Sequence, residues 1–71
     1  MKVVVEANWD EEARVWVAEA VDDIGLVTEA ATIEELQRKL AIMVPDLLGE
    51  EVDGPFDIEL IARSRQSVAA V

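Results

Sequence analysis

The sequence predicts an α+β fold, β-β-β-α-β, with one helix laid on one face of a four-stranded, mostly antiparallel sheet of order 3-2-1-4. Three observations carry that prediction. Two β-branched runs flank a short polar connection near the N-terminus; a capping box heads a series of apolar residues at helical spacing; and residues 56–64 alternate apolar with polar. The chain divides into a single domain over residues 1–65 and a tail over residues 66–71.

Lys2 to Asn8 is short and β-branched, with Val3, Val5 and Ala7 on one face and Lys2, Val4, Glu6 and Asn8 on the other. Trp9 to Ala13 supplies a polar connection of hairpin length. Arg14 to Ala20 resumes as a strand, with Val15 and Val17 on one side and Trp16, Ala18 and Ala20 on the other. Asp22-Asp23-Ile24-Gly25 is turn chemistry, because Asp bonds its own backbone and Gly accepts a positive φ. Leu26 to Ala30 follows as a third strand, antiparallel to the second.

Thr32-Ile33-Glu34-Glu35 is the sharpest local signal. The Thr hydroxyl and the Glu three residues later can each bond a backbone N–H orphaned at a helix start, and Ala31 and Leu36 stand where a hydrophobic staple belongs. Ile33, Leu36, Leu40, Met43, Val44, Leu47 and Leu48 then recur at helical spacing. Glu34–Arg38 and Glu35–Lys39 have the order of favourable i,i+4 ion pairs. Pro45 removes one helical N–H and predicts a kink, with the helix running on to about Leu48 and ending at Gly49. Residues 50–55 read as a loop. Phe56 to Ser64 forms the fourth strand, which returns after a crossover long enough for a parallel connection and falls beside the first. The uncharged residues 66–71 are either frayed or add to the edge of another chain.

Composition narrows the function classes. Sixteen Asp and Glu stand against six Lys and Arg in 71 residues, a formal charge of −10. Six cations cannot build the wide basic face that a phosphate backbone requires, and anionic membranes are disfavoured likewise. A basic protein is the natural complement of such a surface. With no His and no Cys, disulfides, the usual zinc sites and thiol or imidazole nucleophiles are excluded. Eleven Val, five Ile and six Leu argue against disorder, and the acids scattered through the first twenty residues argue against a secretory signal. A cytoplasmic, prokaryotic protein is expected.

One helix covers only one face of the sheet, yet the other face is not simply polar. Val4, Ile61 and either the Val15/Val17 pair or Trp16 must turn there. Val4, Val15, Val17, Trp16 and Ile61 are therefore the candidate interface for a homo-oligomer or a partner complex. Trp9 and Trp16 are equally readable as partner anchors and as residues sealing the hairpin. No catalytic, metal-binding or cofactor-binding residue is expected. The acid runs at 10–12 and 22–23 lack the alternating spacing of a calcium loop and read as solvated turns.

The string NWDEEARVWVAEAVDDIGLVTEAATIEELQRKL, residues 8–40, resembles the HicB-like antitoxin family in order and spacing. The resemblance extends over most of residues 2–64 and is closest to that family's small branch of uncharacterised stand-alone domains. It implies a partial ribonuclease H-like fold, a homo-oligomer (dimer or tetramer) and, as partner, a small basic toxin that cleaves mRNA. The C-terminal DNA-binding module of many such antitoxins has no counterpart within these residues, so direct nucleic-acid binding is not expected. Two other functions are weighed against it: a structural or oligomerisation domain without a toxin, and a residual metal-dependent nuclease. For the latter, the acids are Glu6 with Glu34 or Glu35 and Asp57 or Glu59. The helix cap accounts for Glu35, the dipole and Arg38 account for Glu34, and a domain this small is expected to have little room for a cleft of about 300 Å³.

Overall fold

The computed structural model describes residues 1–49 and 54–70. The expected loop over 50–55 and the end of the tail therefore lie partly outside the described residues. The elements follow in the predicted order: β1 (Lys2–Asp10), β2 (Val15–Ala20), β3 (Val27–Ala30), α1 (Ile33–Leu48) and β4 (Asp57–Arg63). They build a four-stranded sheet of order β3-β2-β1-β4. β1 pairs antiparallel with β2 and parallel with β4, and β2 pairs antiparallel with β3.

β1 runs two residues further than the sequence predicts, because Trp9 and Asp10 stay in register with Trp16 and Val15. The two Trp rings meet edge to face, with centroids 5.4 Å apart at 62°, a geometry that favours the pairing over an early turn. The turn itself is set by Asp10, whose Oδ1 accepts from the backbone N–H groups of Glu12 (3.0 Å) and Ala13 (3.1 Å). Arg14 closes it at φ 59 and donates its N–H to the Asp10 carbonyl. A left-handed residue at a hairpin's end restores the twist that the strands need.

The capping signal is expressed as expected on its Thr side: Thr32 is extended and its Oγ1 accepts from the Glu35 N–H at 3.1 Å. The helix passes through Pro45 as one element and stops at Gly49, whose N–H bonds the Pro45 carbonyl at 2.6 Å. The expected i,i+4 pairs do not close among the described residues. Lys39 instead donates from Nζ to the backbone carbonyl of Glu29 at 2.6 Å. An exposed i,i+4 pair contributes only about 0.3–0.5 kcal/mol, so a short bond to an unpaired carbonyl outcompetes it.

The core lies between the helix and one sheet face. Leu36, Leu40, Val44 and Leu48 form a stripe with a spacing of four and pack over Val3, Val5 and Ala7 of β1, Ala18 of β2 and Ala30 of β3. Ala7 and Ala18 are direct cross-strand partners; their small side chains let the helix approach closely. Leu26, 2% exposed, closes the end beside the turn. Fully burying a Leu contributes about 1.5–3 kcal/mol, so Leu26, Leu36 and Leu40 anchor the two layers. No helix of the described residues is long and apolar enough to cross a membrane.

Candidate functional site: the uncovered sheet face

Period two settles which residues turn away from the helix. Since Val3, Val5 and Ala7 are buried beneath it, Lys2, Val4, Glu6, Asn8 and Asp10 face the other way. The register carries this across the sheet. One row reads Glu29, Val17, Asn8, Arg63; the next reads Val27, Glu19, Glu6, Ile61. Val4 stands beside Glu59, and Val15 beside Asp10. Four of the five predicted interface residues, Val4, Val15, Val17 and Ile61, thus share this open face. The fifth, Trp16, does not: its cross-strand partners are Trp9 and Ala30, and it packs against the core on the helix side. Its rim position follows from the edge-to-face contact with Trp9, which needs both rings on one face.

Sequence reasoning missed Val27, which joins the open face and is 63% exposed, against 37% for Val17. The alternation Val27-Thr28-Glu29-Ala30 was the available signal, but it assigns a face only once the β2–β3 register is known.

The electrostatics of the face are acidic and uneven. Glu6, Asp10, Glu19, Glu29, Asp57 and Glu59 lie on it with only Lys2 and Arg63. Lys2 pairs with Glu59 at 3.2 Å, and Arg63 with Glu6 at 3.5 Å. Both pairs are largely exposed, so each is worth little to stability. Glu6 and Glu19 stand directly opposite on adjacent strands, an arrangement that destabilises a sheet. Arg63 offsets it from one side only.

Two of the acids weighed as a metal site are paired with cations. Glu6 and Glu59 do share the open face, but each has its own cation, and at Glu35 the cap engages the backbone N–H, which donates to Thr32 Oγ1. Among the described residues no group of three or more acids is placed to hold a metal ion. The surface is hollowed more than the size of the domain predicts. Depressions of about 460 and 590 Å³ lie at the hairpin end. The larger is lined by Asn8, Trp9, Ala62, Arg63, Ser64 and Arg65, a set with no carboxylate and no general base. Trp9 has its Nε1 bonded to Glu11 at 2.7 Å and the Arg14 guanidinium 5.5 Å from its ring centroid. Its polar tip is therefore satisfied within the turn.

Among solved structures, the chain is similar to a hypothetical protein from the extremely thermophilic bacterium Thermus thermophilus, at 48% identity and a TM-score of 0.70, covering 99% of this chain and 100% of that one. No curated protein matches the chain. Neither the solved structure nor the matching family indicates a catalytic activity. The family is described as Domain of unknown function (DUF1902), and it matches residues 2–70.

Proposed function

The chain belongs to the DUF1902 family, and from that premise we propose that it is a non-enzymatic protein-binding module, similar to HicB antitoxins, whose open sheet face engages a basic protein such as a small mRNA-cleaving toxin. The supporting observation is the open face itself. Val4, Val15, Val17, Val27 and Ile61 are spread across it among six carboxylates, and among the described residues no second layer covers them. An apolar field interleaved with charge of one sign suits a partner that supplies both hydrophobic contact and cations. A Lys or Arg set between Glu6 and Glu19 relieves their opposition, so binding energy comes in part from repulsion stored in the free sheet.

The partner is encoded, on this reading, as a small basic reading frame beside the gene, and the complex forms in the cytoplasm. The module also self-associates. Co-expression with that neighbour tests the proposal: the two proteins copurify, the complex weakens as salt is raised, and Val17→Lys abolishes it. A neighbourhood with no basic reading frame, or a complex indifferent to Val17→Lys, overturns it.

A further inference from the structure

We propose that residues 64–70 of one copy add as an extra strand to the free outer edge of β4 in a second copy, so that two chains exchange C-terminal arms. The inference rests on the self-association proposed above and names the surface that carries it.

The arm leaves the body. The molecule measures 55 Å along its longest axis and 19 and 17 Å across. A nine-residue strand such as β1 spans about 30 Å, and seven further extended residues add about 23 Å. The radius of gyration, 14.1 Å, also exceeds the ~11 Å of a compact chain of this length. Residues 64–70 are all exposed, Val68 at 81%. None of the described backbone hydrogen bonds outside the helix and strands involves them.

The acceptor edge is open. Among the described residues β4 has only β1 as neighbour. Asp57 donates its N–H inward to the Met1 carbonyl, so by alternation Ile58, Leu60 and Ala62 turn theirs outward. Beside that edge, Gln37 and Leu40 of α1 and Ile58 and Leu60 of β4 line a groove of about 280 Å³, suited to the small side chains of an arm reading Ser-Val-Ala-Ala. The opposite edge of the sheet is four residues long and is obstructed by Lys39 on the Glu29 carbonyl.

The occupant is a second copy for two reasons. Leu60 to Val71 is the longest acid-free stretch of the chain and carries Arg63 and Arg65, whereas the edge it meets carries Asp57 and Glu59; in a protein of charge −10 this is the segment another copy accepts with least repulsion. Arm and edge also belong to one continuous strand, so a two-fold axis pairs residues 57–70 with themselves antiparallel and satisfies both at once. Folding back onto its own edge is disfavoured, since residues 58–71 hold no Gly, Pro, Asn or Asp to turn the chain, and Ser64 and Ser67 favour a turn only weakly.

Sedimentation equilibrium at micromolar concentration compares the full chain with a variant ending at Ser64, each checked for folding by circular dichroism. The full chain is expected at twice its 7.8 kDa and the shortened one as a monomer. Independently, the cysteine-free chain accepts a spin label at V68C. Mixed with unlabelled-site, nitrogen-15-labelled protein, it broadens the amides of Ile58, Leu60 and Ala62 in the other copy, and this decides the matter if the shortened chain does not fold. A monomeric full chain overturns the inference and self-association together. A dimer that survives loss of the arm, or broadening centred elsewhere, overturns the arm exchange alone.

Discussion

Val17 and Ala18 are neighbours in the chain with opposite fates in the fold, and substituting each in turn tests the face assignment. Val17 lies between Asn8 and Glu29 on the open face and is 37% exposed; Ala18 lies between Ala7 and Thr28 under the helix and is fully buried. Ala18→Leu forces extra carbons into a sealed layer, which costs about 1–3 kcal/mol. For a small domain whose urea dependence is about 1 kcal/mol per molar, the unfolding midpoint falls by about 1–3 M. That is a large share of the ~4–10 kcal/mol expected for a chain of this length. Val17→Lys removes no core contact and introduces a cation beside Glu29, so its effect stays within about 0.5 kcal/mol. Fluorescence of the Trp9–Trp16 pair, which straddles β1 and β2, reports both transitions. A loss of 2 kcal/mol or more on Val17→Lys refutes the reasoning, because a residue on an uncovered face has no core packing to lose.

Three further predictions concern the frame that holds this face. Thr32→Ala deletes the oxygen that caps Glu35 N–H and lowers stability by about 1 kcal/mol in chemical denaturation; no change means the cap is idle. Leu40→Ala empties a site only 1% exposed and costs about 2–5 kcal/mol, measured by thermal melting alongside the exposed Leu47→Ala, which stays near neutral. Gly25 has φ +74 with open space around its Cβ position, so Gly25→Ala loses about 1–2 kcal/mol through the backbone alone. Gly25→Asn recovers part of that, and equal losses for the two contradict a left-handed origin.

Element order, strand order and helix boundaries were legible because they rest on strong local chemistry. The Thr32 cap, the Asp22–Gly25 turn and the alternation around Ile58 and Leu60 each leave few alternatives. The facing of β2 was not legible. Val15, Trp16, Val17 and Ala18 are all apolar, so period two gives two readings, and the choice is made by non-local contacts: Ala18 against Ala7, and Trp16 against Trp9. Lys39 shows a second limit, since the carbonyl it finds on Glu29 becomes its neighbour only after the helix packs on the sheet. Of the candidate face, Val4 and Ile61 were readable from sequence, whereas the choice between the Val15/Val17 pair and Trp16, and the place of Val27, both depend on register.

The central proposal, that the open face binds a basic protein, is tested most directly by an amide-shift titration of this chain with the small basic protein that the proposal expects beside its gene. The account predicts that the amides of Val4, Val15, Val17, Val27 and Ile61 move, with those of Glu6 and Glu19, while the exposed side of α1 around Ile42 stays still. Shifts confined to α1, or none at saturating partner, contradict it.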